Sequence, residues 1–259
     1  MYRTSGRGRY SATYDEDTQD EYKGQTHAAV QLRLVFVRKV YMVMASMLAI
    51  TVAECALVRV PAVLYGVLRL LNGSWFVRMC TWSLGVSPLI LLRVLRHKRH
   101  CYPANLYLLG AFTVLVGGSV ALATAFTDTL VLLAAASITL GVFSAVTLYA
   151  MTATKDFRYL YPTMGGILLG MAVAAFWSRF LPLNETLYCL AGAIVFAMYL
   201  MIDTQIVAQR LPVDEWVLGA IEVYLDIANL FIYILGLLSD RENKKDKKRE
   251  EEEEEESDD

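Results

Sequence analysis

Two aspartates interrupt segments that are otherwise apolar enough for a bilayer. Asp203 closes the run from Leu187 to Ile202, and Asp226 lies inside the run from Val217 to Leu238. An ionised carboxylate in hydrocarbon costs at least about 2.5–3.5 kcal/mol on insertion scales, so it persists where a partner, a proton or water relieves it. If the two side chains face each other they hold one proton between them, and its loss sets two like charges side by side. Such a pair is a proton-sensitive latch. The alternative is two unrelated carboxylates, each snorkelling to an interface or capping a helix.

The last apolar run carries more than one polar group. Glu222, Asp226, Asn229 and Tyr233 recur at spacings of four, three and four, which is one face of a helix. Oxygen ligands in a flexible, anionic line suit Ca²⁺, which takes about six to eight oxygens with water supplying the remainder. Asp203 and Asp226 are the candidate Ca²⁺ ligands of the latch, and Glu222 and Asn229 are candidates for the ion pathway. Asp214, with Glu215, is placed to gather cations just before the last run. The same stripe suits helix–helix glue, and acids at 214–215 also suit a helix start. Glu54, in the first apolar run, is expected to pair with Arg59 at an interface.

An intramembrane aspartyl protease also needs two aspartates on consecutive helices, one protonated and one ionised, to activate water. The Gly-x-Gly-Asp context and the Pro-Ala-Leu segment of such proteases are absent from this sequence. His27, His97 and His100 fall in a tail and a basic loop, which gives serine or metal chemistry no base within a span. The four cysteines show no CxxC spacing, so neither a zinc site nor a disulfide framework is indicated. No enzyme activity and no cofactor are expected; Ca²⁺ enters as the transported ion.

These side chains must be positioned by membrane helices. Of 259 residues 56% are hydrophobic, against a usual share of roughly 45–50%, and mean hydropathy is +0.41. Runs of about 20 apolar residues, one per crossing, predict spans near 35–58, 75–95, 104–126, 130–153, 163–181, 187–207 and 217–238. The fold class expected is all-α, an integral membrane bundle of seven transmembrane helices with a central seventh helix, since a polar face at Asp226 cannot meet lipid. Gly166 with Gly170, and Gly117, Gly118, Ala121, Ala123 and Ala125, read as close-packing positions.

Residues 1–33 are polar, show no cleavable signal, and are expected to be a disordered tail before the domain at 34–239. Residues 240–259 hold 6 basic and 12 acidic side chains and are likewise expected to be disordered. Arg33, Arg38, Lys39, Arg93, Arg96, Lys98, Arg99, Lys155 and Arg158 share one side if spans alternate, which predicts a cytosolic amino terminus. Arg59, Arg69, Arg78 and Arg179 fall on the other side, and the lysines at 244–248 follow an odd number of crossings. A last segment that re-enters without crossing would remove that conflict. The partners expected are membrane lipid and calcium ion, with no nucleic acid; a monomer suffices.

In order along the chain, Phe36-Val37-Arg38-Lys39-Val40-Tyr41, Arg96-His97-Lys98, Tyr102-Pro103-Ala104-Asn105-Leu106-Tyr107, Lys155-Asp156-Phe157, Ile202-Asp203-Thr204-Gln205, Asp214-Glu215-Trp216 and Val223-Tyr224-Leu225-Asp226-Ile227 form a set. That set resembles the transmembrane BAX inhibitor motif family in its Lifeguard branch, over about residues 28–240; poxviruses and cytomegaloviruses also carry members. The resemblance implies a seven-helix fold, residence in Golgi or endoplasmic reticulum membranes, and a pH-sensitive calcium leak that lowers store calcium and restrains apoptosis. It also implies that Asp203 and Asp226 form the latch and that Asp214 affects ion passage. The family's acid-bearing third span reads Leu115-Val116-Gly117-Gly118 here, and Glu54 has no family counterpart. A non-conducting regulator that acts through apoptosis-controlling membrane proteins is the competing function.

Overall fold

The computed structural model describes the backbone of residues 8–71, 75–178, 180 and 184–258, and the side chains of 28–69, 87–178, 180 and 184–253. The described residues form α-helices and connecting turns, with no strand. The helices are α1 (Gly8–Val58), α2 (Pro61–Leu71), α3 (Trp75–Lys98), α4 (Ala104–Thr124), α5 (Thr129–Thr152), α6 (Tyr161–Trp177), α7 (Glu185–Gln209) and α8 (Trp216–Asp258). A 3-10 turn at Arg158–Leu160 leads into α6.

Local chemistry sets several boundaries. The Asp128 carboxylate accepts from the Leu130 N–H at 2.6 Å and caps α5, and the Asn184 side chain accepts from the Leu187 N–H at 3.1 Å and caps α7. Pro162 sits in the first turn of α6, where a missing N–H costs nothing.

Among the described residues six helical segments are long and apolar enough to cross a membrane: Ala28–Val58, Ala104–Thr124, Thr129–Thr152, Arg158–Trp177, Glu185–Gln209 and Trp216–Glu253. They cover six of the seven spans expected. The remaining one, at 75–95, corresponds to α3, much of whose side-chain structure lies outside the described residues. Helix α2 was not anticipated. Its 11 residues rise only about 16 Å, too short to cross, and Leu64 and Val67 pack on a small cluster of Val58, Ala121 and Ala125.

The bundle has two ends, defined by side-chain contacts. At the first, Arg99 on the α3–α4 connection pairs with Glu215 at 3.0 Å, and Gln205 of α7 holds the α5–α6 connection. At the second, Arg59 donates to the Thr124 and Thr127 carbonyls at 2.9 and 2.7 Å and to the Thr129 hydroxyl at 3.0 Å. Thr186, at the start of α7, contacts Asp240 and Lys244 of α8 at that same second end. Helix α8 therefore runs from first end to second as one continuous 43-residue element. It does not turn back, so the re-entrant alternative falls away.

Helix also continues through residues read from sequence as tails: α1 begins at Gly8 and α8 reaches Asp258. In α8 the reason is visible. Lys and Glu are good helix formers, and Lys244 with Asp240 and Lys248 with Glu252 make pairs four residues apart, at 2.7 and 3.5 Å.

The interior is built on a helix pair. α7 buries Val195, Phe196, Tyr199, Leu200, Ile202 and Val207, and α8 buries Val217, Ile221, Tyr224, Ile227 and Leu230. Helix α8 also touches α1, α4 and α5. Tyr233 lies so close over Gly192 that a Cβ there would enter its ring, so glycine permits this approach of α7 and α8. Gly118, Gly166 and Gly170, expected as packing positions, face open space instead. Helix α6 lies at the rim, packed on α7.

Arg33 ties α1 to the pair. Its guanidinium donates to the carbonyls of Ala208 (2.8 Å), Val207 (2.7 Å), Ile206 (3.3 Å) and Leu211, all at the open end of α7. The Ile206 carbonyl also accepts from the Arg210 and Leu211 N–H groups, both at 2.8 Å, but the carbonyls of Val207 and Ala208 are of the kind a helix terminus leaves unpaired, and a cation there also meets the negative end of the dipole. Arg33→Ala is expected to cost about 2 kcal/mol and lower the thermal midpoint of the purified protein by roughly 5 °C. Arg33→Lys, with one point of donation in place of a fork, should recover only part of the loss.

Candidate functional site

Asp203 and Asp226 come together. They project from α7 and α8, are 3% and 6% exposed, and their carboxyl groups lie within hydrogen-bonding reach of each other. A bond between two carboxyl groups needs a donor, so the two can be joined only while one of them is protonated. Asp203 Oδ1 and Asp226 Oδ2 are buried, and no hydrogen-bond donor among the described residues reaches them. Neither side chain reaches a lipid-facing surface, and neither is a snorkelling or capping group.

The surroundings are apolar and aromatic. Tyr199, 8% exposed, meets Tyr161 edge-on at 5.5 Å between ring centres, and both lie within electrostatic reach of the pair. Glu222 is the next acid along α8; it is half-buried and acts electrostatically on both aspartates. Arg96 lies within reach of Glu222 and lines a cavity of about 650 Å³ with Leu89, Leu92, Arg93, Val94 and His97. That cavity is cationic where it approaches the acid.

The remaining predicted residues divide. Asn229 spends its amide on the Leu225 carbonyl of its own helix at 2.8 Å. Tyr233 stacks on Phe196 at 5.6 Å and meets Tyr188, so the lower part of the stripe is packing. Asp214 and Glu215 sit on the α7–α8 turn: Arg99 pairs with Glu215 at 3.0 Å, while Asp214 is exposed, with His100 Nδ1 3.7 Å away. Among the described residues no three acidic, histidine or cysteine side chains are placed to hold a metal ion together.

Two residues that hold the site in place carried no catalytic or ligand signal in sequence. The Gln205 side chain, two residues after Asp203, accepts from the Phe157 N–H at 3.1 Å and donates to the Lys155 carbonyl at 2.9 Å. The motif phrases at 155–157 and 202–205 are therefore one contact in space. Lys39 lies 3.8 Å over the Trp216 ring, and Tyr41 reaches Thr204 at 3.5 Å, which brings the motif at 36–41 to the same end. Arg33 is the second residue missed; a lone arginine before an apolar run looks like an orientation signal only.

Beside Gln205, Asp156 is gripped by Arg158. The Arg158 Nε donates to both carboxylate oxygens at 2.9 Å and its backbone N–H to one at 3.0 Å, which holds the Asp156 carboxyl down at about 2. A depressed carboxyl contributes order that is present above its ordinary value near 3.9 and lost as pH falls toward its folded value. The clasp is thus constant across neutral pH. Trypsin cleavage of the 153–158 connection should stay flat between about pH 6 and about pH 8, and rise at every pH in that range for Asp156→Asn.

Comparison with known proteins gives a consistent set of relatives. A family model described as an inhibitor of apoptosis-promoting Bax1 matches residues 33–243. The BI1-like protein of Arabidopsis thaliana is 34% identical over 228 residues, covering 86% of this chain and 87% of that protein. Bax inhibitor 1 of Schizosaccharomyces pombe is 30% identical over 239 residues, 86% and 85%. The Golgi anti-apoptotic protein of vaccinia virus strain Lister is 31% identical over 222 residues, 84% and 90%.

Proposed function

The chain belongs to the Bax1-inhibitor family, the BI-1 and Lifeguard proteins, and from that premise we propose that it is a pH-sensitive calcium leak of intracellular membranes, gated by Asp203 and Asp226. One observation carries the reading: two carboxyl groups buried in a membrane bundle and brought within hydrogen-bonding reach of each other across α7 and α8, with no donor group on Asp203 Oδ1 or Asp226 Oδ2. A structural bridge would be better served by a neutral pair, since a buried ionisable pair is costly and sensitive to its proton. With one proton the hydrogen bond joins the two helices. With none, two negative charges at close range in a poorly screened site repel, and Ca²⁺ competes for the oxygens.

In this reading α3 completes a seven-span topology and the amino terminus is cytosolic. The first end of the bundle then faces the cytosol and the charged extension of α8 leaves on the other side. Golgi residence is supported by the name of the vaccinia relative, and restraint of apoptosis by the names of the vaccinia and Schizosaccharomyces pombe relatives. Asp214 and Glu222 draw cations toward the pair. The exposed charged extension of α8 favours a second reading, a non-conducting regulator that binds apoptosis-controlling partners.

Purified protein in Ca²⁺-loaded liposomes separates the two. Efflux is expected to change with pH near neutrality; Asp226→Asn should cut it by about tenfold and flatten its pH response, and Asp203→Asn should flatten the response with little change in ion preference. Parental pH profiles in both single variants would show the pair to be structural, and a parent protein that releases no Ca²⁺ would leave the regulator reading.

A further inference from the structure

We infer that the cavity on α3 is a site for an anionic phospholipid, with the headgroup phosphate held by Arg93, Arg96 and His97 and an acyl chain laid along Leu89 and Leu92. The assignment does not depend on the leak reading. Those residues, with Val94, line the cavity of about 650 Å³. Its size is within the range of about 300–1,000 Å³ in which small-molecule sites fall. Leu89, Arg93, Val94, Arg96 and His97 are all exposed, so the space is open to a ligand from outside the bundle.

The donors that face this cavity are unspent. Elsewhere the arginine forks close on the protein itself: Arg33 on carbonyls of α7, Arg59 on the α4–α5 connection, Arg99 on Glu215 and Arg158 on Asp156. Arg93, Arg96 and His97 make no hydrogen bond or ion pair among the described residues. Glu222 of α8 acts on Arg96 electrostatically without bonding to it. Residues 93–100 hold four lysine or arginine side chains, two histidines and no acid. Two guanidinium forks turned to one cavity match a phosphate, whose oxygens accept paired N–H donors.

The order of residues along α3 favours a lipid over a free phosphate. Leu89 and Arg93, Leu92 and Arg96, and Arg93 and His97 are each four apart, so the leucines lie one turn before the cations on the same side of the helix. Leu91 and the fully buried Leu95 pack into the core instead. Helix α3 ends at Lys98, and α4, which is long and apolar enough to cross a membrane, begins at Ala104. The cations therefore stand at the membrane boundary and the leucines on its hydrocarbon side, the arrangement of a basic pocket for an anionic headgroup. A free phosphate would engage the arginines alone. A phospholipid also covers Leu89, which is 68% exposed.

Full-length protein in a neutral detergent tests this through its thermal midpoint. Dioctanoyl phosphatidic acid is expected to raise the midpoint, whereas dioctanoyl phosphatidylcholine and glycerol 3-phosphate at the same concentration leave it in place. Arg93→Gln and Arg96→Gln should each raise the half-saturating concentration of the phosphatidic acid roughly tenfold, and Lys245→Gln with Lys247→Gln, on the exposed extension of α8, should leave it within about twofold. A second measurement needs no variant: a phosphatidic acid with a photoreactive acyl chain should crosslink the parent protein within residues 89–92. Equal stabilisation by glycerol 3-phosphate or by phosphatidylcholine would overturn the assignment. So would a parental response in both arginine variants, or crosslinks confined to other helices.

Discussion

Two buried carboxyl groups can be bonded to each other only while one keeps its proton, and the bundle is arranged to hold Asp203 and Asp226 in that contact. Neither aspartate lies at a helix end. Asp203 is six residues from the end of α7, and Asp226 is ten residues, or about 15 Å, into α8. Their meeting at a common depth therefore depends on how the α7–α8 turn and the start of α8 are fixed. The fixing groups are polar and peripheral: Arg33 on four carbonyls, Gln205 on the α5–α6 connection, Arg99 on Glu215, and Lys39 over Trp216. Each binds a backbone or a loop that would otherwise leave polar groups unsatisfied at the edge of an apolar bundle.

Much of this was legible from sequence. Apolar run length found the helices that cross, because a bilayer imposes nearly one length on every crossing. The α7–α8 aspartate contact followed from an intramembrane charge needing a partner and from a short connection that brings adjacent helices back antiparallel. Helix α2 was not legible, since a mostly apolar stretch of 11 residues, broken by Arg69, between two longer runs looks like a loop. Nor was the fate of Asn229 and Tyr233. Periodicity places side chains on one face without saying whether a face ends in its own backbone, as Asn229 does, or in an aromatic stack, as Tyr233 does. Glycine spacing misled for a related reason: Gly166 and Gly170 share a face of α6, but α6 is at the rim and that face has no neighbour.

The acids outside the pair show how far charge alone can be read. Glu215 and Asp214 sit where an acid at a helix start would be expected, yet basic groups of the α3–α4 connection meet both. Glu215 spends its charge on Arg99 in joining two loops, whereas Asp214 stays exposed. Glu54 looked like the paired acid and is the unpaired one, because Arg59 is drawn to carbonyls and a hydroxyl at the α4–α5 connection. A guanidinium, with five donors in a fixed fork, satisfies several carbonyls at a chain reversal more completely than it satisfies one carboxylate.

Helix α7 is held at both ends, and that restricts how the aspartates can part. At one end Arg33 and Gln205 fasten it to α1 and to the α5–α6 connection. At the other, Thr186 contacts Asp240 and Lys244, and Gly192 lies against the Tyr233 ring. Sliding α7 along α8, or swinging it outward as a rigid rod, would break one of these sets. The middle, by contrast, meets α8 through apolar side chains and the single carboxyl–carboxyl bond, and apolar contacts are non-directional. Any motion that separates Asp203 from Asp226 is therefore confined to a bend or a small rotation between two fixed ends. Carboxyl oxygens need to move only about an ångström beyond hydrogen-bond distance before water or a cation can enter between them. An element pinned at its ends and joined at its middle by a bond that depends on one proton can supply that displacement without unfolding.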